Sequence, residues 1–154
     1  MSLLRFCSED IVWQEVPGET SLAYTLTGCP VGCKGCHSVD SWPRGSGVAL
    51  APDYLTARLT QYQGLISCVL FLGGEWQPHA LLTLLQLCKA HGLKTCLYTG
   101  LNEVADELSH KLDYLKTGPW IAERGGLDNP DTNQVFTELA TGKCLNFHFW
   151  PSSQ

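Results

Sequence analysis

The chain has 154 residues, of which 44% are apolar and 16% are charged, and its formal net charge is −5. This length and composition predict a single compact domain, residues 1–154, which needs no disulfides to fold. The Lys and Arg residues are scattered, the start has no apolar signal region, and no apolar run approaches ~18 residues, so we expect a cytoplasmic protein without a nucleic-acid or membrane surface.

Strand and helix patterns alternate along the chain. Residues 21–27 alternate in polarity, as strands do, whereas the continuous apolar run at residues 67–72 is typical of a strand buried on both faces. The predicted elements, in chain order, are a strand at 10–16, a strand at 21–27, a helix near 55–62 that Gly64 ends, a strand at 67–72, a helix from about His79 to Gly92, a strand at 94–98, a short helix capped by Asn102 and reaching about His110, and strands at 112–116 and 143–150.

This order predicts an α/β fold with a mostly parallel sheet and right-handed crossovers. A closed eight-unit barrel takes about 250 residues, so the chain has room for about half of one, and we expect an open partial (β/α) barrel. In such sheets ligands bind at the carboxyl ends of the strands. Three unusual segments fall at that edge: a cysteine-rich loop after residues 21–27, Gly-Gly-Glu at 73–75, and Thr-Gly at 99–100.

The cysteine-rich loop holds Cys29, Cys33 and Cys36, spaced C-x3-C-x2-C. Flanking glycines and a proline predict a loop, where thiols are not core filler. A [4Fe-4S] cluster normally takes four thiolates, so three would leave one iron open for chemistry. Two alternatives remain: a structural zinc in a non-catalytic interaction module, which would recruit a distant cysteine such as Cys7 or Cys144, and a thioredoxin-like C-x-x-C, which leaves Cys29 unexplained.

The other five cysteines lie in apolar runs or near the chain ends. In a reducing compartment we do not expect disulfides, and we interpret these residues as small buried apolar side chains. They are Cys7, Cys68, Cys88, Cys96 and Cys144.

The C-x3-C-x2-C loop, followed at the next strand end by Gly-Gly-Glu, resembles the radical S-adenosyl-L-methionine (SAM) superfamily. The resemblance implies a partial barrel of the radical SAM type. It also implies that Cys29, Cys33 and Cys36 are the cluster ligands and catalytic residues, and that the methionine moiety of SAM is the ligand of the fourth iron. Gly35 departs from the family, which often has an aromatic residue before the third cysteine.

The resemblance further implies that Gly73, Gly74 and Glu75 bind the amino group of SAM. Glycines let the backbone approach a ligand closely, and a carboxylate accepts charge-assisted hydrogen bonds from an amine. Thr99 is expected to bind the SAM carboxylate or ribose, and Lys116 the same carboxylate. A turn at the end of a strand would equally explain Thr99, and a solvated side chain would explain Lys116.

The chain as a whole resembles the activating proteins of anaerobic ribonucleotide reductase, which are glycyl-radical activating enzymes. The similar segments, in the family's order, are TGCPVGCKGCHSVDSW, FLGGEW, YTG, DYLKTGPW and TNQVF. The resemblance implies an oxidoreductase that reductively cleaves SAM and abstracts hydrogen from a glycine of the reductase. It also implies a low-potential electron donor such as flavodoxin or ferredoxin. An alternative is a small radical SAM enzyme that acts on a small molecule.

Five further residues have weaker interpretations. Asn133 and Gln134 match the family's late segment and are predicted near the substrate mouth, although a polar turn explains them equally well. His37 is expected to form a hydrogen bond or to pack beside the cluster without ligating it. Trp42 and Trp76 are expected to shield the site or to pack. VWQEVPGETS, residues 12–21, replaces a DGPG turn that is usual in the family.

Overall fold

A computed structural model of the chain describes residues 4–13, 15–26, 48–119, 121, 123–127, 129 and 131–149. The cysteine-rich loop therefore lies outside the described residues. The elements in chain order are β1 (Arg5–Val12), β2 (Ser21–Leu26), β3 (Val48–Ala49), α1 (Pro52–Gln61), β4 (Cys68–Leu72), α2 (Pro78–Ala90), β5 (Lys94–Tyr98), α3 (Asp106–Ser109), β6 (Tyr114–Thr117), β7 (Val135–Glu138), β8 (Lys143–Cys144) and a 3-10 helix (Asn146–Phe149).

The described strands form one eight-stranded sheet in the order β3-β1-β2-β4-β5-β6-β7-β8. The central strands β2, β4, β5 and β6 run parallel to one another, while β1, β3, β7 and β8 pair antiparallel on the two sides. The predicted α/β class is confirmed, and the predicted parallel arrangement holds for the centre of the sheet. Closure of this sheet into a partial barrel of the radical SAM type stays a prediction.

Two apolar clusters cover the two faces of the sheet. One face packs against α1 and α2 through Leu55, Leu59, Leu81, Leu84 and Leu85. Among the described residues, the opposite face packs against loop segments and the 3-10 helix. Its buried residues are Val16, Ala23, Cys68, Leu70, Cys96, Tyr114, Leu127, Phe136 and Leu145.

The central elements follow the predicted patterns closely. α1 and α2 each begin with a proline, Pro52 and Pro78, because the first turn of a helix needs no donor from that position. The stripe predicted for the second helix is buried along its length. No helix in the described part of the chain is both long and apolar enough to cross a membrane.

A single carboxylate joins the starts of the four parallel strands. Glu19 lies just before β2, and its Oε1 accepts a hydrogen bond of 2.6 Å from Ser67, the residue before β4. Its Oε2 lies 3.1 Å from Lys94 Nζ at the start of β5 and 3.3 Å from the Tyr114 hydroxyl at the start of β6. We call this group the Glu19 cluster. It fixes the amino edge of the sheet.

Three predicted boundaries are wrong at the periphery. The first strand is Arg5–Val12 and not residues 10–16, because β1 pairs antiparallel with the whole of β2. The predicted last strand is limited to Lys143–Cys144. There, Asn146 Oδ1 accepts a 2.7 Å hydrogen bond from Phe136 N, and its Nδ2 donates a 2.8 Å bond to Gln134 O, so a side chain replaces the strand ladder.

The third helix is also shorter than predicted. It spans only Asp106–Ser109 and begins after Ala105, without a side-chain cap, whereas Asn102 was expected to cap it. Among the isolated cysteines, Cys68, Cys88 and Cys96 are fully buried, as predicted. Cys144 is exposed on β8, so its predicted burial is wrong. The side chain of Cys7 lies outside the described residues.

Candidate functional site

The predicted site residues that the structure describes lie at the carboxyl edge of the parallel strands. β2 ends at Leu26, and the parallel pairing of Thr25 with Leu72 places this end beside the end of β4. The predicted cluster ligands Cys29, Cys33 and Cys36, together with His37 and Trp42, lie outside the described residues. In sequence, they follow Leu26, the last residue of β2.

Main-chain hydrogen bonds continue the sheet ladder beyond the strand ends. Gly73 N donates to Tyr98 O at 2.9 Å, and Thr99 N donates to Lys116 O at 2.9 Å. The turns that follow β4, β5 and β6 are therefore held side by side. This is why Gly-Gly-Glu at 73–75, Thr99 and Lys116 lie beside one another at this edge.

Glu75 and Thr99 are in direct contact. The Thr99 hydroxyl donates a hydrogen bond to Glu75 Oε1 and accepts one from Leu101 N at 3.1 Å. Thr99 is 2% exposed. The second carboxylate oxygen, Glu75 Oε2, is buried and has no hydrogen-bond partner among the described residues. A buried acceptor without a donor is energetically costly. The main question at this site is therefore which group donates a hydrogen bond to Oε2.

The surroundings of Glu75 act on its charge in two opposite directions. Burial removes water from the carboxylate and raises its pKa above the ordinary value of 4.5. The Thr99 hydroxyl and the backbone N–H groups of residues 74–76 oppose this shift, since they favour the charged form. Burial thus desolvates the carboxylate, while the neighbouring O–H and N–H groups favour its charged form.

The two glycines of the Gly-Gly-Glu turn have a steric role. Gly73 and Gly74 have φ values of +97° and +105°, which side chains rarely adopt. A Cβ on Gly74 would lie 2.5 Å from Leu26 Cδ1, and one on Gly73 would lie 2.7 Å from the Trp76 ring. The turn therefore packs directly on the last residue of β2. Trp76 is partly buried against the core, in agreement with its predicted packing role.

An open cleft of about 340 Å³ lies beside Glu75. Apolar side chains from the segment after β5 form most of its wall, and a second carboxylate lies among them. Its lining residues are Glu75, Leu101, Glu103, Val104, Ala105 and Leu108. Two carboxylates on an apolar wall favour a ligand that carries a cationic or amino group together with apolar atoms.

Lys116 lies at the same edge, at the end of β6. Its ammonium is 5.6 Å from the centre of the Tyr98 ring and 3.5 Å from Gly118 O. Tyr98 and Lys116 are paired in register across β5 and β6. The edge thus offers a carboxylate on one side and an ammonium on the other. That combination is suited to the amino and carboxylate groups of an α-amino acid.

Asn133 and Gln134 hold the turn after β6. Asn133 Nδ2 donates to Pro119 O at 3.1 Å, and Gln134 Nε2 lies 3.5 Å from Gly118 O. Gln134 is 4% exposed. The Asn133 Oδ1 atom is a second buried acceptor without a partner in the described part of the chain. Both amides therefore shape the loop at this edge.

The sequence did not indicate Tyr98 beneath Lys116 or the cleft wall at Leu101, Val104 and Leu108. The sequence places Tyr98 at the end of a strand and in the segment YTG, neither of which indicates a contact with Lys116. Its place under Lys116 depends on the register between β5 and β6, which no local pattern specifies. A usable signal was present in the apolar residues that follow Thr99-Gly100, since loop residues after a strand end of a parallel sheet commonly line its site.

The described residues fit the amino-acid end of SAM. Glu75 Oε2 is a buried acceptor for which the described residues supply no donor, and an amino group would supply one. Lys116 supplies a cation at the same edge for a carboxylate. The fit concerns these two functional groups alone, since the predicted cluster ligands lie outside the described residues.

Two comparisons with known proteins indicate what this chain is similar to. Residues 17–123, more than half of the chain, match the family model described as a 4Fe-4S single cluster domain. This range contains all three clustered cysteines as well as Glu75, Thr99 and Lys116. The chain is also 32% identical over 89 residues to the pyruvate formate-lyase-activating enzyme of Clostridium pasteurianum, an alignment that covers 54% of the chain and 37% of that enzyme. The matched part is thus little more than a third of that relative.

Proposed function

Because the chain belongs to the 4Fe-4S single cluster domain family, we propose that it is a radical SAM activase. In this proposal it cleaves SAM reductively at a [4Fe-4S] cluster and abstracts a hydrogen atom from a glycine of anaerobic ribonucleotide reductase. One observation carries the proposal: the family match spans both the C-x3-C-x2-C loop and Glu75, whose Oε2 has no partner among the residues that the structure describes.

The three clustered cysteines have the role of cluster ligands. Cys29, Cys33 and Cys36 bind three of the irons, and the fourth iron is left for SAM. When bound, the cluster supplies the electron that breaks the C5′–S bond of SAM. In sequence, these cysteines follow β2, which ends with Leu26 at the carboxyl edge of the sheet.

The residues of the described edge bind and orient the methionine end of SAM. Glu75 Oε2 accepts a hydrogen bond from the amino group. This buried oxygen, which has no partner among the described residues, then has a donor. Lys116 Nζ attracts the carboxylate. Leu101, Val104 and Leu108 provide apolar contacts for the ligand in the open cleft beside Glu75.

A protein substrate is supported by the relative, which by its name activates pyruvate formate-lyase. The choice of anaerobic ribonucleotide reductase rests on the order of the segments from TGCPVGCKGCHSVDSW to TNQVF. A low-potential donor such as flavodoxin or ferredoxin supplies the electron, since a strongly reducing cluster is needed.

Anaerobic purification and reconstitution test the cluster. The protein is expected to be brown, to contain about four irons per chain, and to cleave SAM when reduced. Cys29→Ala, Cys33→Ala and Cys36→Ala should each abolish cleavage, whereas Cys144→Ala, an exposed cysteine outside the loop, should retain it. A colourless protein with a single zinc would overturn the proposal, as would cleavage retained in any of the three loop variants.

The protein substrate is tested separately by electron spin resonance. Reduced protein and SAM are mixed with anaerobic ribonucleotide reductase in one sample and with pyruvate formate-lyase in another. A glycyl radical is expected on the reductase. A radical formed only on pyruvate formate-lyase would keep the activase reaction and replace the substrate.

A further inference from the structure

We propose that Thr99 is a positioning residue that occupies one oxygen of Glu75 and thereby presents the other oxygen, Oε2, to the ligand's amino group. The identity of that ligand, SAM, rests on the proposed function. Thr99 then acts through Glu75 and does not itself contact the ligand, which differs from the direct contact predicted for it from the sequence.

The direction of the Thr99 hydroxyl is fixed by its two neighbours. A threonine hydroxyl has one proton to donate and lone pairs to accept with. Leu101 N occupies a lone pair at 3.1 Å, and the proton goes to Glu75 Oε1. Both sides of the hydroxyl are therefore used within the chain, and Thr99 is 2% exposed.

The position of Thr99 is itself rigid. Its backbone N donates to Lys116 O at 2.9 Å, which extends the β5–β6 ladder by one residue. A β-branched side chain also has few rotamers. The hydrogen bond from this hydroxyl therefore restricts the side chain of Glu75, which lies on a turn, relative to the parallel sheet.

Fixing Oε1 determines what Oε2 can do. The two oxygens of a carboxylate are held at a constant geometry, so a bond to the first limits the direction of the second. Oε2 is buried and has no partner among the described groups, and the adjoining cleft has a second carboxylate at Glu103. The site is therefore ready for one strong donor, as an amino group is.

The contact also affects the protonation of Glu75. The Thr99 hydrogen bond favours the charged carboxylate and opposes the effect of burial. Without the hydroxyl, the pKa of Glu75 rises further above its ordinary value. Binding of the ligand's amino group requires the charged carboxylate. On acidification, a protein without the hydroxyl should therefore lose this binding at a higher pH than the wild type does.

The experiment compares SAM binding to reconstituted wild-type protein, Thr99→Val and Thr99→Ser by anaerobic calorimetry between about pH 5 and pH 8. Valine keeps the shape without the hydroxyl, whereas serine keeps the hydroxyl. We expect Thr99→Val to bind SAM about tenfold more weakly at neutral pH. As the pH is lowered, this variant should also lose its affinity for SAM at a higher pH than the wild type does. Thr99→Ser should bind like the wild type. In a Glu75→Gln background, Thr99→Val should have little further effect.

The outcomes separate this inference from the proposed function. Wild-type affinity and an unchanged pH profile in Thr99→Val would overturn the positioning role alone. An equal loss in Thr99→Val and Thr99→Ser, uniform with pH, would also overturn it and would indicate a packing role. A wild-type protein that carries the cluster but binds no SAM would overturn the proposed function and this inference with it.

Discussion

Glu75 is a single residue whose burial sets a pH dependence for the whole fold. Its raised pKa means that the charged form is less favourable in the folded chain than in the unfolded chain. Its contribution to stability is therefore full below the ordinary value of 4.5 and is lost as the pH rises through the folded pKa. Glu75→Gln cannot ionise, so its free energy of unfolding, relative to wild type, should increase from about pH 4 to about pH 8.

Urea unfolding of the cluster-free chain at several pH values measures this difference. Glu103→Gln is the matched control, because Glu103 lines the same cleft but is exposed. Its difference from wild type should change less over the same range. A difference for Glu75→Gln that stays constant with pH would contradict the argument.

Gly74 is the second residue with a sharp expectation. An alanine there would have to keep a φ of +105° and place its Cβ 2.5 Å from Leu26 Cδ1. Both strain and overpacking destabilise, so we expect Gly74→Ala to lose about 2–4 kcal/mol of unfolding free energy. Gly64→Ala is the control, since Gly64 has a φ of +83° but nothing within 4 Å of its Cβ position. It should lose only about 1 kcal/mol.

Chemical denaturation of both glycine variants measures the effect. Equal losses would mean that backbone conformation alone matters and that contact with Leu26 does not. A larger loss for Gly74→Ala would show that close packing of the Gly-Gly-Glu turn against Leu26 at the end of β2 contributes to stability.

At the scale of secondary-structure elements, Glu9 joins β1, β2 and α1. Its carboxylate accepts a 2.6 Å hydrogen bond from the Tyr24 hydroxyl and a 3.0 Å bond from the Tyr54 hydroxyl, and Arg58 Nε lies 3.5 Å away. Tyr24 is fully buried, and burial together with Glu9 raises its pKa. The carboxylate is thus the acceptor that makes a buried tyrosine hydroxyl tolerable.

A double-mutant cycle tests this connection. Glu9→Ala should lower the unfolding free energy by about 2–3 kcal/mol, because it leaves the Tyr24 hydroxyl buried without an acceptor. Tyr24→Phe should lose only about 1 kcal/mol, because it removes the hydroxyl itself and leaves no buried donor without an acceptor. The double variant should lose less than the sum of the two. Strict additivity would mean that the 2.6 Å contact has no energetic weight.

Sequence patterns predicted the centre of the sheet well and its periphery poorly. β4 and β5 are short apolar runs with both faces buried, and α2 has a strong stripe, so local composition is enough. β1 and β8 depend on partners. The charged segment Arg5–Val12 becomes a strand because it pairs with β2, and residues after Cys144 leave the sheet because the Asn146 side chain binds the backbone.

For the candidate site, the sequence predicts where the residues lie but not which of them are in contact. Strand ends placed Glu75, Thr99 and Lys116 at one edge, because parallel strands share their carboxyl side. The contact between Thr99 and Glu75 was not predictable, since it depends on how two turns are held together by the ladder. The spacing of the cysteines predicted a cluster, and the family match supports one.

At the scale of the whole molecule, the Glu19 cluster and the residues proposed to bind SAM lie at opposite edges of the sheet. The Glu19 cluster joins the strand starts through Ser67, Lys94 and Tyr114, whereas Glu75 and Lys116 lie at the strand ends. Glu19→Ala should lower the unfolding free energy by roughly 1–3 kcal/mol. It should leave the affinity of the reconstituted protein for SAM unchanged within about twofold.

Thermal unfolding and calorimetry on the same preparation measure both quantities. Lys94→Ala is a milder control, because the Lys94 side chain is half exposed and its ion pair with Glu19 is partly screened. A Glu19→Ala protein that folds normally but binds SAM much more weakly would show that the two edges are coupled.

The Glu19 cluster also has a practical consequence for attaching this chain to surfaces or probes. A five-residue strand is about 16 Å long, so a fluorophore or tether fixed at the amino edge of the sheet, beside the Glu19 cluster, sits a full strand away from Glu75. Such a conjugate would leave the carboxyl side of the sheet open to a large macromolecule. Immobilised preparations for sensor or single-molecule work should therefore be anchored at the amino side.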